Sequence, residues 1–455
     1  MMKLSEAAMA TRGSVIGEDV LFTSVSNDSR GDKHGQLFVA MRGERVDGHD
    51  FALSAIEHGA AAAMVSHALP GLTSGLLVQD TRRALGDLAA WWRGKFTIPL
   101  AAITGSNGKT TVKEMLAAIL RVTAGGEDKV LATVGNLNND IGLPLTLLKL
   151  RAQHRYAVAE MGMNHFGEIR YLTRLACPTV ALVNNATSAH LGGLGSVEGI
   201  AQAKGEIFEG LAADGVAIIN ADDRFAAYWK TLADGKRILT FGIEQPADVS
   251  ATFVLQAEYS DLQLQTPLGE AALRLPVAGR HNVCNALAAT ATAIAMNIPL
   301  ADVVAGLAAF GGVKGRLQQK MGVGGAVVID DTYNANPASV KAAIDVLAAR
   351  AGKKLLVLGD MGELGDEAAA MHADIGAYAR DAGIDALFAL GELSREMVRV
   401  FGSGARHYAT PEALAADLMA GMHAGVNVLV KGSRFMRMER VVDLITHNNT
   451  QGENH

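Results

Sequence analysis

The sequence predicts an α/β protein in three domains: a small N-terminal α/β unit, a central mostly parallel sheet with a phosphate-binding loop, and a C-terminal Rossmann-like doubly wound sheet. Three observations carry that prediction. The chain has 455 residues, which by ordinary domain size makes about three domains. Short apolar runs alternate with amphipathic stretches, at residues 156–159, 179–184, 216–219 and 238–241, and again at 326–330, 355–359, 386–390 and 427–431. That alternation is the mark of βαβ units and parallel sheets. Between them in importance stands AAITGSNGKTT, residues 101–111, an apolar run that ends in a glycine turn and opens a helical pattern.

Residues 1–98 form the first expected domain. Strands are expected at 36–40, 61–65 and 75–78, with a helix beginning near Phe51 and another, holding Trp91 and Trp92, ending near Lys95. Two loops between them, Asn27–Arg30 and Met41–Asp50, are dense in hydrogen-bonding groups and arginine. Pro99 marks the junction to the second domain, residues 99–313. There each apolar run ends in polar residues at the carboxyl end of a strand, where open α/β sheets bind ligands: Glu160, then Asn184-Asn185, then Asn220-Ala221-Asp222-Asp223. From about 249 to 275 the pattern shifts to alternating strands at 262–265 and 272–275. Gly279-Arg280-His281-Asn282 then opens an Ala-rich helix through Met296. Residues 314–455 return to βαβ alternation and end in a polar tail from His447.

Composition narrows the classes. The chain is 49% hydrophobic and 19% charged, with a net charge of −6, so no global basic field exists to hold nucleic acid. Any anionic ligand must be met by local cations and backbone N–H groups. Two cysteines, Cys177 and Cys284, lie far apart in apolar surroundings and are expected as buried thiols in a reducing compartment. The N-terminus lacks the apolar core of a signal peptide, and no 18-residue apolar run is present. The expectation is a cytoplasmic protein with no membrane partner and no nucleic-acid partner. The absence of an obvious apolar stripe suggests a monomer.

The glycine turn gives the chemistry. Gly105, Ser106, Asn107 and Gly108 place backbone N–H groups around phosphate oxygens, at the positive end of the helix that Lys109, Thr110 and Thr111 begin. Lys109 is suited to reach the β- and γ-phosphates, and the Thr110 hydroxyl to sit on a magnesium ion. Ile103 stands where the commoner G-x-x-x-x-G-K-[ST] loop has its first glycine. The remaining Gly-x-x-Gly-Lys-Thr is a tighter version, read as a nucleoside triphosphate site. Glu160 and His190 are the metal-ligand candidates from neighbouring strand ends, although magnesium prefers oxygen to imidazole.

Seven segments together resemble the Mur ligases: Thr104–Thr111, Glu160–Gly162, Asn185–Leu191, Ala203–Phe208, Gly279–Asn282, Gly315-Arg316 and Asp330–Pro337. They occur in order over nearly the whole chain. The resemblance implies an ATP-dependent ligase of peptidoglycan precursor synthesis. Gly135–Pro144, Asp331–Pro337 and Leu358–Gly365 favour, within the family, the reaction that adds D-Ala-D-Ala to UDP-N-acetylmuramoyl-tripeptide. The C-terminal motif by which the third-residue-adding ligases recognise a diamino acid is absent.

By the same resemblance, ATP phosphorylates the tripeptide carboxylate, and the dipeptide amine attacks the acyl phosphate through a tetrahedral intermediate. Lys109 stabilises the migrating phosphoryl group, Thr110 and Glu160 hold one Mg2+, and His190 helps hold a second. Lys204 matches a lysine that is carbamylated in relatives, which turns a cation into a carboxylate-like group near that second ion. Asn282, Arg316 and Asp331 match nucleotide contacts. Ser29, Arg30, Arg42 and Asp47 match uridine-diphosphate-binding loops. Asn138 and Asn139, within Gly135–Pro144, match substrate contacts. Tyr333, Asn334 and Asn336 are expected to line the cleft and meet the dipeptide, with Lys431–Arg434 as a further carboxylate or phosphate contact.

Two other readings have discriminators. A folylpolyglutamate-synthase-like ligase begins near its phosphate loop, whereas about a hundred residues precede this one. A nucleotide-gated binding protein has no use for Glu160, His190 and Lys204 beside an acceptor.

Overall fold

In a computed structural model, which describes residues 1–187 and 194–446, the chain forms three α/β units and one antiparallel excursion. The middle sheet has six parallel strands in the order Arg237–Phe241, Val216–Asn220, Val180–Val183, Leu100–Thr104, Tyr156–Glu160, Val130–Ala132. Leu100–Thr104 is buried along its whole length. A strand covered on both faces has no use for alternation, which is why it reads as a continuous apolar run. Helix Lys109–Ala124 follows it and buries Val112, Met115, Leu116, Ile119 and Leu120. That spacing is one face of a helix, laid on the sheet. Gly125, in the left-handed region at φ +73°, ends the helix, as a residue without Cβ can at no steric cost.

The C-terminal sheet also has six strands, in the order Gln318–Met321, Val327–Asp331, Val426–Lys431, Lys353–Gly359, Ala386–Leu390, Ala405–Tyr408. Only the Gln318–Met321 strand is antiparallel to its neighbour. The N-terminal sheet has five strands and is parallel except at Ser14–Gly17, which pairs with Ser74–Leu77. Helix Thr81–Arg93 carries this unit to the middle one: Asp80 caps it by accepting from the N–H groups of Arg82 and Arg83, and Trp92 Nε1 donates to Leu150 O at 3.1 Å. One apolar cluster runs through both units.

Several sequence expectations are corrected here. The alternating region holds three strands rather than two, Ser250–Leu255, Ser260–Thr266 and Gly269–Leu275. Short outer strands at 14–17, 24–26, 130–132, 318–321 and 405–408 were not expected from the pattern, because strands of three or four residues give too little periodicity. Cys177, expected to be buried, is exposed. It ends helix Glu168–Ala176 at φ +42°, a capping position that faces outward. Cys284 is partly buried, and burial pushes its thiol up to about 12.

Candidate active site

A cleft of about 1500 Å3 lies between the middle and C-terminal units, with the phosphate loop in its wall. The loop's shape is set from outside. Ser106 N–H donates to Asn185 O at 2.9 Å and Asn107 N–H to Asn185 Oδ1 at 2.9 Å. Asn184 Nδ2 donates to Asn107 O at 2.9 Å, and Asn107 Nδ2 to Thr187 Oγ1 at 3.1 Å. The strand end expected to face a ligand therefore braces the loop that does. Gly108 sits at φ +81°, and a Cβ there would lie 2.3 Å from Asn285 Oδ1 and 2.5 Å from Asn184 Nδ2. Glycine is required on both counts.

Lys109 is half-buried and donates to Gly105 O at 2.6 Å. Burial holds its ammonium below the usual lysine range, against the attraction of Glu160 and with the repulsion of Arg316. An incoming phosphate would supply the missing countercharge. Thr110 Oγ1 donates to Glu160 Oε2 at 2.9 Å, and Asn138 Nδ2 donates to Glu160 Oε1 at 2.7 Å. Glu160 is 2% exposed, so its carboxylate is aimed and not merely tethered. A hydroxyl and a carboxylate oxygen in contact are the hard donors that Mg2+ takes. Among the described residues no three His, Cys, Asp or Glu side chains gather as a metal cluster. His190 lies outside the described residues.

Lys204, on helix Val197–Gly205, is buried, not solvated as an isolated helical lysine would be. Burial, and the nearby Lys109 charge, push its ammonium well below the usual range. It therefore sits close to the phosphate-loop lysine as an amine that is easily made neutral.

The C-terminal unit reaches into the same place. Arg316 Nη2 donates to Thr110 Oγ1 at 3.0 Å, and the guanidinium lies 4.3 Å from the centre of the Tyr333 ring. Asn336 Nδ2 donates to Asn107 Oδ1 at 2.7 Å while its Oδ1 caps helix Pro337–Ala348. Asn334 Oδ1 accepts from Arg434 N–H at 3.3 Å, and Lys431 ties Asp331 Oδ2 at 2.6 Å to Asn334 O at 2.8 Å. Asn139 lines the cleft beside Asn138, and its Oδ1 accepts the N–H of Gly142, the first residue of helix Gly142–Leu147, at 2.8 Å.

Not every expected residue is gathered there. Asn282 is buried at the start of helix Arg280–Ala295, where Nδ2 donates to Ala278 O. Neither it, Asp331, Lys204, Gly105 nor Thr111 is part of the cleft wall. Ser29, Arg30, Arg42 and Asp47 lie outside it too. Arg30 pairs with Asp28 and Arg42 with Asp47, the two guanidiniums 88% and 79% exposed. Conversely, Arg82, Lys113 and Asp140 line the cleft without having been singled out. Lys113 had a signal, since it falls four residues after Lys109 and so on the same helix face. The Arg82–Asp140 ion pair joins residues distant in sequence and had none.

Comparison with known proteins finds three family models along the chain. The Mur ligase family catalytic domain matches residues 21–93, the Mur ligase middle domain 103–293, and the Mur ligase glutamate ligase domain 315–434. The UDP-N-acetylmuramoyl-tripeptide--D-alanyl-D-alanine ligase of Escherichia coli is 42% identical, over 98% of this chain and 99% of its own length. A crystal structure of MurF from Acinetobacter baumannii matches with a TM-score of 0.92 at 38% identity, covering 98% of this chain and 99% of that one. MurF ligase from Thermotoga maritima, in complex with ADP, matches with a TM-score of 0.83 at 27% identity, covering 94% and 98%.

Proposed function

The chain belongs to the Mur ligase family, and we infer from the cleft that it joins D-Ala-D-Ala to UDP-N-acetylmuramoyl-tripeptide at the expense of ATP. It is an ATP-dependent amide-forming ligase of peptidoglycan synthesis, making the UDP-linked pentapeptide. The observation that carries the reading is the meeting, in one cleft, of the Lys109 phosphate loop, the Thr110–Glu160 pair and the C-terminal Arg316 and Asn336.

Carboxylate and amine do not condense in water, because hydroxide is a poor leaving group. Transfer of the γ-phosphoryl of ATP to the tripeptide carboxylate replaces it with phosphate. The dipeptide amine then adds to the carbonyl, loses a proton, and expels phosphate from the tetrahedral intermediate. Both reactants of the first step are anions, so the protein's task is neutralisation and alignment. Lys109 meets the phosphates, and Asn185, which accepts the Ser106 and Asn107 N–H groups, fixes the shape of the loop that carries it. Thr110 and Glu160 are the residues that hold Mg2+, which when bound offsets phosphate charge. Arg316 brings a further cation from the C-terminal unit, and with Asn336 it couples that unit's position to the loop. Water kept out by that approach cannot hydrolyse the acyl phosphate.

The finer assignments are part of the proposal. Residues 1–98 take the UDP end of the substrate through Ser29, Arg30, Arg42 and Asp47, residues 99–313 take ATP, and residues 314–455 close over it and take the dipeptide with Tyr333, Asn334 and Asn336. Asn282 and Asp331 serve the nucleotide. Lys204 is carbamylated: its neutral amine adds to CO2, one N–C bond forms, and a proton leaves to solvent. The protein acts as a cytoplasmic monomer. No described helix is long and apolar enough to cross a membrane.

The test is phosphate release from ATP with UDP-N-acetylmuramoyl-tripeptide, with and without D-Ala-D-Ala, and the mass of the product. A pentapeptide formed only with the dipeptide is expected. Turnover with a different UDP-linked acceptor, and none with either tripeptide form, would keep the ligase chemistry and remove the substrate assignment.

A further inference from the structure

Lys113 is 1% exposed, yet it is a lysine on the cleft side of the phosphate-loop helix, one turn beyond Lys109. A buried ammonium is tolerated only where acceptors take its N–H groups. Two do so: Thr133 O at 2.7 Å, and the Glu114 carboxylate. Thr133, itself 1% exposed, follows the outer strand Val130–Ala132 and donates its own N–H to Val158 O at 3.0 Å. Its hydroxyl accepts the N–H of Glu160 at 3.0 Å. Glu160 in turn presents Oε2 to Thr110 and Oε1 to Asn138. Two hydrogen bonds, bridged by Thr133, thus tie the Lys113 ammonium to the backbone of Glu160.

We propose that Lys113 is a positioning residue for Glu160. By fixing the Thr133 carbonyl from the helix that also bears Lys109 and Thr110, it locks the height of the Glu160 backbone relative to the phosphate loop. Helix, outer strand and carboxylate then move as one body. An apolar residue of equal length would fill the same space without desolvating a charge, but it would leave Thr133 O without a donor and the strand end free to shift. The inference rests on the reading of Thr110 and Glu160 as the metal pair.

The experiment measures Mn2+ binding to the full-length protein with ADP present, from the EPR signal of free Mn2+, for wild type, Lys113→Met, Lys113→Arg, Thr133→Val and Glu114→Gln. Removing a group that orients a metal ligand costs roughly tenfold or more in metal affinity. About that loss is expected for Lys113→Met and Thr133→Val, with Lys113→Arg restoring most of it and Glu114→Gln near wild type. In the ligase assay the same two variants should need correspondingly more Mg2+ for half-maximal rate, with KM for D-Ala-D-Ala unchanged. Wild-type Mn2+ affinity in a folded Lys113→Met protein overturns the proposal; should that variant fail to fold, wild-type affinity in Thr133→Val does so. A rise in KM for every substrate at unchanged Mn2+ affinity would make Lys113 a structural clamp only. If wild type binds no Mn2+ with ADP, the metal pair and this inference fall together. Altered Mn2+ affinity in a protein that does not ligate D-Ala-D-Ala would sink the substrate assignment alone.

Discussion

The two six-stranded sheets that face the cleft are built alike but treat the charges at their strand ends in opposite ways. In the middle sheet Glu160 ends one strand with neutral donors, Thr110 and Asn138, as the partners of its carboxylate among the described residues, and Lys109 lies beyond the next with a backbone carbonyl as its partner. Opposite charges are near each other and not paired. In the C-terminal sheet, Asp331 and Lys431 end adjacent strands in register and meet at 2.6 Å, both largely buried. One sheet leaves its charges apart; the other joins them across adjacent strands. Doubly wound architecture alone does not say which, and the pairing does.

That contrast can be broken from either side. Lys109→Met should lower kcat of the ligase by about 10²–10³, the usual cost of removing one charge-stabilising donor. Because it removes a half-buried cation whose partner is a backbone carbonyl, its thermal midpoint should not fall. Lys431→Met should do the reverse to stability: it leaves the Asp331 carboxylate buried without its cation, a loss of about 3–5 kcal/mol in denaturant unfolding, mostly recovered in the Asp331→Asn/Lys431→Met double variant. If Lys431→Met unfolds like wild type, the contrast is wrong.

Arg316 and Asn336 sharpen the comparison, since they are how the self-paired sheet contributes to the unpaired one. Arg316→Ala should weaken ADP binding about tenfold by calorimetry, in line with a hydrogen bond to a charged group. Asn336→Ala should cost about 1 kcal/mol of stability through its helix cap. Asn336→Ser keeps the cap and loses the reach to Asn107, so it should retain stability and still raise KM for ATP.

The smallest effect concerns pH. His372 is buried, accepts Met361 N–H on Nε2 and sits 2.6 Å from Ala368 O through Nδ1, and burial holds it below the usual histidine value. It is therefore neutral in the fold, and the unfolded chain binds the proton more readily. Its contribution is present above a pH of about 6.5 and is lost as pH falls through the depressed value. The thermal midpoint should decline between pH 7 and 5, less steeply in a His372→Gln variant.

What was readable in the sequence followed from strong local signals. The buried central strands appear as apolar runs, and Gly105–Thr111 as a loop, because those features need particular residue types at fixed spacing. The Mur ligase resemblance rested on the same local motifs. What was hidden depended on long-range pairing. Asn184 and Asn185 read as ligand-facing strand ends, whereas their hydrogen bonds go to the phosphate loop. Lys204 carried no local mark of burial, since that comes from what packs around its helix. Short outer strands take their geometry from neighbours and left no period to find.

The brace on the phosphate loop has a consequence for how the protein is made. Asn107 waits for Asn185, 78 residues later, and for Asn336, 229 residues later. At 5–20 residues per second a ribosome needs on the order of ten to fifty seconds to cover the longer interval. During that time the loop exists as sequence without its scaffold. The nascent chain thus emerges with its most recognisable motif early and acquires competence for nucleotide late, so that a truncated product carrying the motif intact is no partial enzyme.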